Sequence, residues 1–220
     1  MTPADVAIDP WPLLRNGTSV HGHFSLRLVV HGRSGGVVPG CLSALMDQVQ
    51  SRRQAPVQLE ALTADQVPAL PDQPVLLIPL LLWPGTHVRE DVPFIRERLR
   101  AEGSEVTMLP FLGSWPLWWD LVASALMIQS DPSLVLVHHP LRAGVADCFL
   151  RSLSRRLGLP MVPFDRWSEH HLRYPTHRPL PLALAPNRMT EALRDAEGFP
   201  PLLDHPLIRQ GLIDLLAALP

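Results

Sequence analysis

SLRLVVHG at residues 25–32 and PSLVLVHHP at residues 132–140 are two apolar, β-rich runs that each close on histidine. Laying one on the other puts His31 over His138 and, ten residues on, Cys41 over Cys148. Further along, PLLLWP at 79–84 meets PLALAP at 181–186, and LGSWPL at 112–117 meets LDHPL at 203–207, in the same order in both halves. Three collinear matches in so short a chain point to a duplicated unit of roughly 100 residues. The expected organisation is an N-terminal extension over 1–24, a first lobe over 25–130 and a second, degenerate lobe over 131–220. Approximate two-fold symmetry would then place His31 and His138 at equivalent strand ends.

Composition sets the outer limits. The chain has 220 residues, 46% of them hydrophobic, enough for two compact domains with buried cores. A net charge of −2 supplies no basic field for nucleic acid. The 25 prolines are scattered through apolar runs and form no low-complexity tract. Residues 1–24 carry Asp5 and Asp9 and no long apolar stretch, which is the pattern of neither a signal peptide nor a membrane anchor. A cytoplasmic protein with no membrane partner is therefore expected, as a monomer or weak homodimer. Two cysteines at matching places in two lobes argue against a disulfide and for buried thiols.

Within each half, strand and helix patterns alternate. In the first, strands are predicted at Leu26–Val30, Val57–Leu62, Val75–Leu82 and Val106–Pro110. Helices are predicted at Cys41–Arg53, Pro93–Glu102 and Pro116–Ile128, with Pro93 in a first turn and Gly103 just past a last one. Strands separated by helices require right-handed crossovers and a parallel sheet, so the fold class is α/β, with two similar doubly wound, flavodoxin-like domains. Ligands of such sheets sit beyond the carboxyl ends of the strands. His31 follows the first strand and His87 the third, which puts both on one rim.

PLLLWPGTHVREDVP at 79–93 resembles the metal-site segment of the class II chelatases of the CbiX and SirB type. There an apolar strand leads through a glycine turn to a histidine, then to an aspartate four residues on and a proline. LVVHGRSGG at 28–36 resembles their opening strand and turn, and LGSWPLWWDLV at 112–122 their last strand-to-helix junction. Val30 stands where the family has glycine, and Arg33 where it has serine. The acidic position after the second strand falls near Thr63, with Glu60 and Asp65 the nearby carboxylates. The resemblance implies ATP-independent insertion of Fe²⁺ or Co²⁺, with Ni²⁺ a further candidate, into a sirohydrochlorin-like tetrapyrrole, with no organic cofactor. The pathways implied are siroheme or cobalamin biosynthesis.

That chemistry suits these residues. Neutral imidazole strips water from a divalent ion, holds it weakly enough for release and accepts protons near neutral pH. His31 and His87 are the expected metal ligands and catalytic groups, with Asp91 behind His87 orienting its ring. A rim of substrate carboxylates calls for arginine, and Arg33, Arg89, Arg142 and Arg188 are the candidates. In the second half, Asn187-Arg188-Met189 stands in place of Gly85-Thr86-His87-Val88, so that half lacks a counterpart of His87. His138 and His139 are then relics or structural. Trp115, Trp118 and Trp119 are expected at the interface between lobes, one of them open to stacking on the macrocycle. His170, His171 and His177 read as solvated loop residues. The alternative is a non-catalytic paralogue that binds a tetrapyrrole or a metal as a carrier.

Overall fold

The computed structural model describes residues 24–70, 73–129, 131–141 and 144–220, so all but the last residue of the N-terminal extension lies outside the described residues. Two parallel sheets form the frame. The first contains β1 (Ser25–Val30), β2 (Val57–Ala61), β3 (Val75–Pro79) and β4 (Val106–Met108) in the order β2-β1-β3-β4. The second contains β5 (Leu134–His138), β6 (Met161–Pro163) and β7 (Arg178–Pro181) in the order β6-β5-β7. Strand order thus reverses beside the first strand of each sheet, between β1 and β3 and between β5 and β7. These are the two topological switch points.

Period-two alternation decides which helix lies on which face. Leu26, Leu28 and Val30 turn one way and pack with Leu42, Leu45 and Val49 of α1 (Gly40–Gln50). Val29, Val75 and Leu77 turn the other way, onto Val92, Ile95 and Leu99 of α2 (Val92–Ala101). The second sheet repeats this. Val135 and Val137 meet Trp167 of α5 (Trp167–Arg173) and Met189 and Leu193 of α6 (Arg188–Leu193), while Leu134 and Leu136 face Leu153 and Leu157 of α4 (Val145–Leu157).

Both halves share one core. The largest apolar cluster draws on both sheets and on the two remaining helices, α3 (Pro116–Gln129) and α7 (Pro206–Ala217). These two helices are exchanged: α3 closes the first half but packs on α4, and α7 closes the second half but packs on α1 as well as on α3. Gly211 of α7 makes this crossing possible, because a Cβ there would sit 2.4 Å from Leu121 Cδ1. Trp115, Trp118 and Trp119 are all buried in this shared core. Arg53 adds a polar tie: its guanidinium donates to the carbonyls of Phe24, Leu219 and Pro220, and burial pulls its pKa down to about 10.

The second sheet lacks a counterpart of β4 among the described residues, and the backbone shows why. Leu109 N–H donates to Leu77 O in the first half, and the matching bond in the second is Phe199 N–H to Pro179 O. Pro200 and Pro201 follow at once and have no N–H to extend a ladder. The thiols also depart from expectation. Both cysteines are free, but Cys41 is only half-buried and Cys148 is exposed, because α4 turns its Cys148 face outward.

One buried ionic group holds the first sheet to α2. Glu60 on β2 accepts from Arg27 of β1 at 3.0 Å and from Arg98 of α2 at 2.7 Å, and all three side chains are at most 10% exposed. Arg27 also donates to the carbonyls of Val67 and Pro68. Glu60→Gln would leave the Arg27 guanidinium buried without a counter-charge and would leave Arg98 only its bridge to Glu102, at 3.0 Å. Loss of a buried partner costs about 3–5 kcal/mol, so a urea titration of this variant should show destabilisation of that order.

Candidate active site

The two switch points face each other, and between them lies a cleft of about 790 Å³. Its floor and walls are mostly apolar, with Leu42, Leu80, Leu82 and Trp83 from the first half and Leu182 and Leu184 from the second. Gly113 lets the segment after β4 press against the end of this wall, since a Cβ there would lie 2.0 Å from Leu82 O. Trp119 Nε1–H donates to Gly113 O at 2.6 Å and Trp115 Nε1–H to Pro110 O at 2.8 Å, which fixes that segment. The buried tryptophans therefore shape the wall from behind. Trp83, absent from the sequence-derived candidates, lines the cleft, alone of the tryptophans among the described residues.

His31 and His87 meet on the first-half rim, with ring centroids 4.6 Å apart and planes at 83°. Each ring is anchored through Nδ1. His31 Nδ1 lies 2.8 Å from Gly32 O, and a carbonyl can only accept, so Nδ1 carries the proton and Nε2 keeps its lone pair. His87 Nδ1 lies 2.5 Å from Asp91 Oδ2. The same logic leaves its Nε2 as the free nitrogen. The pairing with Asp91 comes from a single widened turn over His87–Asp91, closed by Val92 N–H to His87 O. Such π-type turns concentrate at functional sites.

The opening turn is built by Gly32 and Thr63. Gly32 sits at φ +73°, and a Cβ on it would lie 2.4 Å from Thr63 Oγ1. Thr63 Oγ1–H reaches the carbonyls of His31 and Arg33, at 3.3 and 2.8 Å. Thr63 thus serves the turn itself, Glu60 is sequestered with Arg27 and Arg98, and Asp65 is exposed.

Strand register corrects the pairing of His31 with His138. Leu80 N–H donates to Val29 O and Leu182 N–H to Val137 O, both at 2.8 Å. Val29 stands opposite Pro79 and Val137 opposite Pro181. With Pro79 matching Pro181, Val30 corresponds to His138 and His31 to His139. A slip of one residue flips a side chain to the other face. His138 is accordingly buried beside Trp83, at a ring separation of 5.7 Å, whereas His139 lines the cleft with His31 and His87. The His-His doublet was visible in the sequence; strand alternation alone could not say which member faces the ligand. Burial holds the His138 imidazole below its usual pKa. His139 is also lowered, first by the surrounding protein and then by the like charges of His31 and His138.

The arginines divide. Arg33 and Arg188 line the cleft, and Arg33 is bridged across it to the second half, 2.8 Å from Glu191 and 3.2 Å from Pro186 O. Arg89 is exposed and is not part of the cleft lining, because the widened turn points His87 inward in its place. Arg142 lies outside the described residues. At the place of His87 in the second half, Asn187 caps α6 through Thr190 N–H at 3.0 Å. Among the described residues, no three His, Cys, Asp or Glu side chains form a ready-made metal cage. Two free imidazole nitrogens on one rim with a third imidazole lining the same cleft can bind an ion weakly and accept protons.

No protein-family model and no curated protein matches the sequence. Solved structures do. SirB from Bacillus subtilis with Fe³⁺ shares 14% identity over 86% of this chain and 92% of its own, with a TM-score of 0.60. The sirohydrochlorin chelatase SirB from Bacillus subtilis subspecies spizizenii, in complex with cobalt, gives 14%, 87%, 93% and 0.62. CbiX, described as the terminal enzyme for biosynthesis of siroheme in denitrifying bacteria, gives 19%, 89%, 98% and 0.55. The fold is that of the class II chelatases. Among the described residues, no helix is long and apolar enough to cross a membrane.

Lowered histidine pKa values make stability depend on pH. An unfolded imidazole takes a proton near 6.5, where His138 and His139 in the folded chain do not. Their contribution is complete above that value and declines as pH falls below it, until the folded rings titrate as well. Urea midpoints measured from pH 8 downward should fall on the acid side, and His138→Gln should make that loss shallower.

Proposed function

We propose that this chain inserts a divalent metal, Fe²⁺ or Co²⁺, into a sirohydrochlorin-type tetrapyrrole without ATP, in siroheme or cobalamin biosynthesis. The observation that carries the reading is the His31–His87 pair, two imidazoles anchored through Nδ1 with both Nε2 atoms free at the rim of a large apolar cleft. An ion about 2.1 Å from each Nε2 lies about 3.2 Å from each ring centre. Centroids 4.6 Å apart then subtend roughly a right angle, which suits two neighbouring ligands of one ion. The likeness in fold to chelatases solved with iron and cobalt supports this choice of metals. Nickel is a further candidate, because two imidazoles discriminate poorly among first-row ions.

In this reading the flat macrocycle occupies the apolar cleft. His31 and His87 present the metal from one wall while His139 on the other accepts pyrrole protons. Asp91 holds the His87 ring in the tautomer that ligates through Nε2. Arg188 meets substrate carboxylates, and Arg33 does so by exchanging Glu191 for substrate. One chain supplies both walls, so a monomer suffices, and its free thiols suit the cytoplasm.

One observation favours the carrier reading: Glu60 is locked in its ion group, and Thr63 replaces the acid near the opening turn. Turnover separates the two. A chelatase metallates many macrocycles per chain, followed by absorbance with sirohydrochlorin and each metal, and a carrier at most about one. His31→Ala and His87→Ala should each lower insertion by about 10²-fold or more, and Asp91→Asn by about 10–100-fold, with far-UV circular dichroism unchanged. Parent rates in both histidine variants would place the chemistry elsewhere. His139→Ala should cost more than His138→Gln.

A further inference from the structure

Arg33 and Glu191 meet across the mouth of the cleft from opposite halves, Arg33 beside the opening turn and Glu191 on α6. Arg33 Nη2 lies 2.8 Å from Glu191 Oε1 and donates to Pro186 O at 3.2 Å, so both hydrogens of that nitrogen are engaged. A guanidinium grips a carboxylate with a pair of parallel N–H bonds, either from Nη1 and Nη2 or from Nε and Nη2. Both grips use Nη2. A substrate carboxylate therefore takes this arginine fully only when Glu191 gives up its place.

From this competition we infer that Glu191 is a release residue: a displaceable counter-ion on Arg33 that loosens the hold of the cleft on a carboxylate-rimmed macrocycle and speeds its departure. The inference rests on the chelatase reading above and concerns how that same site lets its product go. Metal insertion exchanges pyrrole protons for an ion and leaves the rim carboxylates unchanged, so an arginine that holds the substrate holds the product equally. Such contacts lower KM without accelerating the chemistry and, when strong, retard release. Both walls belong to one core, so side chains at the mouth are the groups best able to give way.

The charges along the cleft support this role. Among the described residues, Glu191 is the one carboxylate lining it, against Arg33, Arg188 and the imidazoles of His31, His87 and His139. The pair is also poised to exchange. Its side chains are 42% and 50% exposed, and an ion pair in such a setting is weak enough for a substrate carboxylate to replace it. Glu191 has little structural duty on its own helix: Asn187 Oδ1 accepts from Thr190 N–H at 3.0 Å and Thr190 Oγ1 from Asn187 N–H at 2.8 Å, so α6 keeps its cap without it.

Zinc uroporphyrin, a carboxylate-rich metallated macrocycle, is the probe, with affinity read by fluorescence titration and dissociation rate by competition. Glu191→Gln should bind it about 2–5-fold more tightly than the parent chain, through slower dissociation, the factor expected for removing one exposed ion pair. Glu191→Ala should behave alike. Arg33→Gln should bind it more weakly, and adding Glu191→Gln to that chain should restore nothing, because Glu191 acts through Arg33. A Glu191 that served structure alone would loosen binding when replaced. Equal or weaker binding by Glu191→Gln would overturn the inference, as would an equal gain in the Arg33→Gln chain. Failure of the parent chain itself to bind the macrocycle would overturn the chelatase reading, and this role with it.

Discussion

Exchange of the closing helices is the constraint on which the rest depends. Because α3 packs on α4 and α7 on α1, neither half buries its own apolar face alone, and the largest core cluster belongs to both sheets at once. Each sheet has one switch point at its carboxyl edge, and an isolated sheet would offer a shallow crevice there. The crossing of α7 over α3, possible because Gly211 lets Leu121 approach, turns the two crevices toward each other. A cleft with two mostly apolar walls results. The Arg33–Glu191 bridge then spans its mouth, with one partner from each half.

Within that cleft the chemistry depends on where protons are parked. Gly32 O takes the Nδ1 proton of His31, and Asp91 takes that of His87, so two rings from different strands present the same nitrogen to the same space. The two halves have diverged at this point. Asn187 spends its side chain capping α6 where the first half spends a widened turn on His87 and Asp91. Carboxylates are divided likewise: Asp91 serves the imidazole, and Glu60 neutralises two arginines between sheet and helix. The second half keeps one imidazole, His139, for the shared space.

Much of this was legible in the residues. Apolar runs marked β1 through β4, the prolines at 93 and 116 marked helix starts, and the spacing of His87 and Asp91 announced their pairing. The duplication was visible as well, because the PLLLWP and PLALAP segments hold the same register against their neighbours. These are local properties, set by side-chain period and backbone chemistry within a few residues. What only the tertiary structure decided depended on partners distant in sequence. A match of apolar runs tolerates a shift of one residue, whereas interstrand hydrogen bonds do not, so the register alone assigned His139 and not His138 to the cleft. The destinations of α3 and α7, the withdrawal of Glu60 into an ion group and the choice of Trp83 over the buried tryptophans all follow from packing across the two halves, which no window along the chain contains.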